Sequence, residues 1–229
     1  TAVGMAMDAR FVRNLLDSTA PLGQSVFDHK IWVIAGDGCL QEGVTSEASS
    51  LAGHQELGDL VVLYDDNHIS IEGDTAVSFT EDVLARYVSY GWNVSHVEML
   101  ASGEIDVAAL DLAIASAVSQ SEKPTLIRVR NVIGWPAPNL KNTGKIHGSA
   151  LGEAEVTATK ELLGLDPTKT FEISDELLAH TRQVAARGSE SRAHWEQQFS
   201  DWANKNVEAA ETFARLAARE LPANWHAVL

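Results

Sequence analysis

The sequence predicts an α/β fold in which a parallel β-sheet is flanked by helices. Short apolar runs alternate with stretches that have the apolar spacing of helices. Two of these runs, IWVIA at 31–35 and LVVLY at 60–64, are apolar along their whole length, which is typical of strands covered on both faces. Strands that alternate with helices imply right-handed crossovers between parallel neighbours.

Each element follows from its local pattern. Small residues dominate 42–57, which suits a helix that packs closely on a sheet. Pro124 suits the first position of a strand because it cannot donate a ladder hydrogen bond. We predict helices over 2–16, 42–57, 80–90 and 105–119, and strands over 31–35, 60–64, 92–98 and 124–134.

The pattern changes near residue 135. The segment GWPAPNLKNTGKIHGSA carries Gly, Pro and Asn and has no periodicity, so it predicts a long loop. Loops of this length inside a domain are usually functional or disordered. Helical patterns return over 153–164, 174–187 and 190–219. We therefore predict an α/β core over 1–150, a helical portion of the same domain over 151–221, and the start of a linker over 222–229.

Composition argues against several kinds of partner. The chain has 229 residues, 45% of them hydrophobic, which is enough for a sizeable core. Its net charge of −15 argues against a nucleic acid or an anionic membrane as partner, and no apolar run approaches the roughly 20 residues of a membrane span. Cys39 is the only cysteine; it is expected to be a buried packing residue and suits a reducing compartment, so we predict a cytoplasmic protein.

Polar side chains follow two of the predicted strands. Asp37 comes directly after the first strand between Gly36 and Gly38, and Asn67 follows the second. In open α/β sheets ligands bind beyond the carboxyl ends of the strands, and flanking glycines let a ligand approach the backbone. Mg²⁺ typically takes one or two carboxylates together with water and substrate phosphates. We predict a metal-bridged diphosphate site here, with backbone oxygens around Ile69 completing the coordination.

Other interpretations of these residues stay open at this point. A lone Gly-Asp-Gly is common in turns, Asp37 by itself suits a helix-capping turn, and Asn67 by itself suits a turn. The spacing of the glycines does not match a dinucleotide-binding fingerprint, and no Gly-Lys-Ser/Thr follows as in a phosphate-binding Walker loop. The paired pattern of Asp and Asn after successive strands is more specific than either residue alone.

The longer motifs resemble the transketolase family. A Gly-Asp-Gly followed about thirty residues later by Asn is the thiamine diphosphate motif, and four strings carry the closer likeness: GDGCLQEGVTSEASSLAGH, YDDNHISIEGDT, SFTEDVLARYVSYGW and KPTLIRVRNVIG. The likeness covers essentially the whole chain and is densest from 31 to 151. The chain resembles the first domain of transketolases, which binds the diphosphate of the cofactor.

The resemblance implies thiamine diphosphate and Mg²⁺, or Ca²⁺, as cofactors. It implies side-chain metal ligands at Asp37 and Asn67 and a carbonyl ligand at Ile69. It also implies further cofactor-binding residues, one of which, His147, touches both cofactor and substrate and is the expected catalytic residue. The further residues are Gly36 and Gly38 at the diphosphate, Ile71 and Ile133 in the thiamine pocket, and His147.

Two acids complete the implied site. Glu42 and Glu47 match residues near the subunit interface that connect to the neighbouring site of a homodimer. Simple interaction with a helix dipole is the alternative for both, and a solvated loop histidine is the alternative for His147.

The resemblance also implies an activity. It is the transfer of a two-carbon ketol unit from a ketose phosphate to an aldose phosphate, in pentose phosphate metabolism. The chain begins at Thr1 and lacks the family's upstream histidines and second-domain glutamate, so we expect a fragment that is inactive alone, with 222–229 leading to an absent pyrimidine-binding domain. The N-terminal subunit of a split transketolase, a related thiamine diphosphate enzyme and a non-catalytic binding module remain alternatives.

Overall fold

The computed structural model describes residues 1–228 and confirms the predicted α/β class. The chain forms two compact units. The first unit comprises Thr1–Met7 with Lys30–Thr170, and the second comprises Asp8–His29 with the residues from Phe171 onward. The first helix, α1 (Ala2–Asp17), contributes residues to both units. The boundaries at residues 150 and 221 stay a prediction.

A four-stranded parallel sheet forms the centre of the first unit. Its strands are β1 (Ile31–Gly36), β2 (Leu60–Asp66), β5 (Asn93–Val97) and β6 (Thr125–Arg130), in the spatial order β1-β2-β6-β5. All three pairings are parallel, as predicted. The carboxyl ends of β1, β2 and β6 therefore meet at one edge, where open sheets bind ligands.

Apolar clusters cover both faces at the centre of this sheet. Adjacent residues of β6 show the alternation: Leu126 packs into the cluster on one face and Ile127 into the cluster on the other, and both are fully buried. Burial on both faces explains why β2 and β6 are continuously apolar, whereas the expectation that β1 is covered on both faces was wrong: Trp32 and Ile34 of this edge strand are exposed.

Helices flank the sheet close to their predicted positions. They are α2 (Asp37–Gln41), α3 (Gly43–His54), α4 (Val83–Ser89), α5 (Val107–Ser119) and α6 (Glu153–Leu162). The α4 and α5 helices begin later than predicted because Asp82 and Asp106 act as N-caps, each accepting from a backbone N–H in the first turn. Close packing of α3 is confirmed at Gly53, where an added Cβ would lie 1.8 Å from the Tyr90 carbonyl oxygen.

The second unit is helical, and one boundary prediction within it is wrong. A single helix, α7 (Asp175–Lys205), runs through the break predicted at 188–189, because one glycine inside a long helix is tolerated. The break comes at Asn206, whose Nδ2 donates to the Trp202 carbonyl at 2.9 Å, and α8 (Val207–Ala217) follows. A short 3₁₀ helix, Trp225–Val228, lies beyond it. Aromatic side chains pack together within this unit: Phe27, Trp195, Phe199, Trp202 and Phe213.

Two features lie between these elements. A two-stranded hairpin that the sequence analysis did not predict, β3 (Ile69–Ser70) with β4 (Gly73–Asp74), follows β2, and a 3₁₀ turn at Thr75–Val77 closes it. The long loop after β6 is confirmed and contains one 3₁₀ turn, Gly144–Ile146. Over residues 1–228, no helix has the length and apolar character needed to cross a membrane.

Candidate functional site

A cavity of about 650 Å³ lies at the carboxyl ends of β1, β2 and β6. It brings together every residue that the sequence analysis placed at the cofactor, and it leaves out Glu47. The predicted residues that line it are Gly36, Asp37, Gly38, Glu42, Asn67, Ile69, Ile71, Ile133 and His147.

The Asp37 carboxylate ties the ends of two strands together. Asp37 is 3% exposed, and its Oδ1 accepts a hydrogen bond from the Tyr64 hydroxyl at 2.6 Å. Its Oδ2 accepts from the backbone N–H groups of Asn67 and His68 at 3.1 Å and 3.0 Å. A buried carboxylate is stable only with such donors. The N-cap of α2 is Gly36, and this cap has no side-chain hydrogen bond. The Asp37 carboxylate instead accepts from residues that follow the neighbouring strand, β2.

Tyr64 keeps its proton in this network. Burial, together with the hydrogen bond to Asp37 and the negative charges of Asp37 and Asp66, raises the pKa of Tyr64 far above its ordinary value. The hydroxyl is therefore a fixed donor to Asp37 across the physiological pH range.

Asn67 and Ile69 reach the cavity through a tight turn. His68, between them, has a left-handed backbone with φ of 61°, which reverses the chain directly after β2. The Asn67 Oδ1 accepts from the Ile69 N–H at 3.0 Å, so Asn67 also stabilises the turn, as the simpler interpretation of this residue expected. Ile69 is 8% exposed, which leaves its side chain in the protein interior.

The flanking glycines leave room for a ligand. An added Cβ at Gly36 or at Gly38 would meet nothing within 4 Å, although both residues line the cavity. The backbone at these two residues is therefore not covered by side chains on the side where Asp37 and Asn67 meet. An oxygen donor set beside open space and uncovered backbone fits a hard cation with a phosphate group.

His147 lines the cavity and is exposed. Two glycines allow the loop that carries His147 to make close contacts. An added Cβ at Gly134 would lie 2.0 Å from Ile146 Cδ1, and one at Gly144 would lie 2.9 Å from the Gly73 backbone nitrogen. The loop is therefore held against both the end of β6 and the β3–β4 hairpin.

Comparison with known proteins decides the family. A family model described as "Transketolase, thiamine diphosphate binding domain" matches residues 1–222. The chain belongs to this family. The transketolase of Mycobacterium leprae is 51% identical over 229 residues, which are 100% of this chain and 32% of that protein. The chain thus spans about a third of the length of the curated relatives it matches.

Solved transketolase structures share the fold. Transketolase from Leishmania mexicana aligns with a TM-score of 0.88 and 35% identity, over 100% of this chain and 33% of that one. A transketolase variant from Pichia stipitis, solved in complex with fructose 6-phosphate, aligns with a TM-score of 0.86 and 36% identity over 98% of this chain and 32% of that one.

Several residues of this transketolase-family cavity escaped the sequence analysis. Asp65 is the last residue but one of β2, and its carboxylate accepts from the side-chain amides of both Asn67, at 3.4 Å, and Asn131. Asn131 and Trp135 follow β6 and also line the cavity. The predicted strand over 124–134 ran past Asn131; because β6 ends at Arg130, Asn131 is in fact a polar residue just after a strand, like Asn67. Cys39 is exposed on the cavity wall, so the expectation that it is buried was wrong.

The acidic residues of the site do not form a carboxylate cage. Within the described part of the chain, no group of three or more His, Cys, Asp or Glu side chains is arranged to hold a metal. A cation here would depend on one carboxylate, on amide oxygen and on backbone oxygen, which is the set that the sequence predicted.

The two acids implied at a subunit interface lie in different places. Glu42 is exposed, lines the cavity and is the N-cap residue of α3 without a side-chain cap. Glu47 is exposed one turn further along α3 and does not reach the cavity. Neither acid lies in the first turn of that helix, where interaction with the helix dipole is strongest.

Proposed function

We propose that this chain supplies the diphosphate and metal anchor of a transketolase. The whole enzyme would transfer a two-carbon ketol unit from a ketose phosphate to an aldose phosphate, with thiamine diphosphate and Mg²⁺, or Ca²⁺, as cofactors. One observation carries the proposal: hydrogen bonds from the Asn67–His68 backbone to Asp37 bring an aspartate and an asparagine from two strand ends to one cavity.

The chain's own residues would have distinct tasks. Asp37 and Asn67, with the Ile69 carbonyl, would hold the cation, and the backbone at Gly36 and Gly38 would receive the diphosphate. Thiamine diphosphate, when bound, supplies the carbanion chemistry of ketol transfer. A second group would contact the ring system and the substrate: Ile71, Ile133 and His147.

The charges around the cavity support a bridging cation. Its lining includes Asp37, Glu42 and Asp65, and among the described residues that line it there is no Lys or Arg. A diphosphate placed there would meet net negative charge, in a chain whose total charge is −15. A divalent cation between the carboxylate and the phosphates removes this repulsion.

Substrates, assembly and compartment follow from the family and belong to the proposal. Pichia stipitis transketolase was solved with fructose 6-phosphate, which supports sugar phosphates as the substrates here. A homodimer with Glu42 and Glu47 near the subunit interface, and a cytoplasmic role in pentose phosphate metabolism, complete it. We expect these 229 residues assayed alone to be inactive, because their match covers about a third of each relative.

Calorimetric titration of thiamine diphosphate into the 229-residue chain tests the anchor. Binding should require Mg²⁺ and should be lost in Asp37→Ala, whereas Asp111→Ala, which removes an exposed carboxylate from α5, should bind like the wild type. Equal binding with and without metal, or in Asp37→Ala, would contradict the proposed ligand set. A folded chain that binds no cofactor, even with the remaining transketolase domains added, would favour a non-catalytic binding module.

A further inference from the structure

A buried carboxylate lies outside the site described above. Glu155, the third residue of α6, is only 6% exposed. Its Oε1 accepts from the backbone N–H groups of Asn139 and Leu140 at 2.8 Å and 2.9 Å. Its Oε2 accepts from the Asn139 side-chain Nδ2 at 2.9 Å. One side chain therefore joins the start of a helix to a loop segment that precedes it in the chain.

The three donors keep Glu155 ionised. The hydrogen bond from the Asn139 side chain, with the two backbone N–H groups, lowers the pKa of Glu155 despite its burial. Its position in the first turn of α6 also favours a negative charge, because the helix N-terminus carries partial positive charge. Bonds from donors to a carboxylate are stronger than bonds between neutral groups.

These bonds close the loop that carries His147. The two ends of the segment 139–155 are in contact, as in an Ω-loop. His147 lies midway between Asn139 and Glu155 in the chain. Inside the loop, Thr143 Oγ1 donates to the Leu140 carbonyl at 2.6 Å, and the Asn142 N–H holds the loop to the chain before it by donating to the Ile133 carbonyl at 2.9 Å. Hydrogen bonds donated to one carboxylate thus fasten both ends of the segment.

We infer that Glu155 is a positioning residue, which keeps residues 139–155 closed and thereby holds His147 at the cavity. The side chain does not line the cavity and acts only through the loop. The consequence for cofactor binding rests on the proposed function, whereas the closure of the loop does not.

Glu155→Gln in the full 229-residue chain tests this role, with Glu153→Gln as its matched control. The glutamine keeps the shape, but both carboxylate oxygens face donors, so its amide must point at one of them and lose at least one bond. Glu153 is exposed in the same turn of α6, so its variant makes the same change of charge without removing the hydrogen bonds that close the loop.

Limited digestion with trypsin reports the closure. Lys141 and Lys145 are exposed within the closed loop, and Lys205, at the end of α7, serves as the internal reference. When opening is fast, cleavage follows the population of the open loop. We expect cleavage at Lys141 and Lys145 to rise about tenfold in Glu155→Gln, from the loss of a charge-assisted bond, with Lys205 unchanged. Wild-type rates at both loop lysines in Glu155→Gln would overturn the inference.

A second measurement follows His147 itself. The imidazole resonances of His147 should shift in Glu155→Gln, because the ring leaves the cavity wall when the loop opens, and stay in place in Glu153→Gln. If Glu155→Gln does not fold, Asn139→Ala removes only the bond to Oε2 and should raise loop cleavage at the same two lysines; no rise there would overturn the inference. Failure of thiamine diphosphate to bind the wild-type chain, even with the remaining transketolase domains added, would overturn the proposed function, while the cleavage pattern would still decide the role of Glu155.

Discussion

The Asp37 carboxylate, at the end of β1, accepts the backbone N–H of Asn67, at the end of β2, at 3.1 Å. This bond fixes the distance between the two oxygen-bearing side chains before any cation arrives. Because neighbouring parallel strands end at the same edge, the sheet places them there without a dedicated loop. Their geometry therefore depends on the stability of the sheet and on the groups that hold Asp37.

Tyr64→Phe should loosen that arrangement and change the pH dependence of stability. Loss of the hydroxyl donor to a buried carboxylate should lower the free energy of unfolding at pH 7 by about 1.5–3 kcal/mol. The raised pKa of Tyr64 means that the folded state keeps this proton after the unfolded chain has lost it. Its stabilisation is therefore complete below about pH 10 and declines as the pH rises further.

Urea unfolding between pH 7 and pH 11 measures both effects. The wild type should lose stability more steeply above pH 10 than Tyr64→Phe does. Tyr90→Phe, which changes another partly buried tyrosine, serves as the control. Parallel curves for the wild type and Tyr64→Phe would contradict the raised pKa.

Asp65→Asn should weaken binding of the cofactor with its metal. Asp65 accepts from the amides of Asn67 and Asn131, so it fixes which way both amides face. Changes in groups that orient metal ligands typically reduce metal affinity by about 10- to 100-fold. Calorimetry with Mg²⁺ and thiamine diphosphate should show a loss of this size, and Asp59→Asn, at a partly exposed ion pair with Lys30, should show none.

Gly38→Ala should separate folding from binding. The position has open space for a Cβ, so thermal unfolding should be unchanged within a few degrees. The same methyl group would occupy the cavity beside Asp37, and the affinity for thiamine diphosphate should fall by about tenfold or more. Gly43→Ala, at the start of α3 and outside the cavity lining, should retain both properties; undiminished binding in Gly38→Ala would place the diphosphate elsewhere.

Gly53→Ala should destabilise the fold, whereas Gly188→Ala should stabilise it. The first methyl group would lie 1.8 Å from the Tyr90 carbonyl oxygen, and such overpacking costs about 1–3 kcal/mol. Gly188 lies on the exposed surface in the middle of α7, and a methyl group added there would meet nothing within 4 Å. Alanine stabilises a helix at such a position by about 0.5–1 kcal/mol relative to glycine. Urea unfolding measures the change in the free energy of unfolding, which should be negative for Gly53→Ala and positive for Gly188→Ala. An unchanged free energy for Gly53→Ala would show that α3 can move away from Tyr90.

Local pattern by itself determined the fold class, the approximate positions of the four strands of the parallel sheet and the edge at which Asp37 and Asn67 meet. Burial on both faces leaves a continuous apolar signal in the central strands β2 and β6, and parallel strands end on one side. Contacts between residues distant in the chain decided the detailed packing and the orientation of site residues. They are the hydrogen bond from Asn131 to Asp65, the close approach of Gly53 to the Tyr90 carbonyl, and the bonds to Glu155 that close the loop around His147. These contacts leave no periodic trace in the chain, because only folding brings the donor of one segment to the acceptor of another.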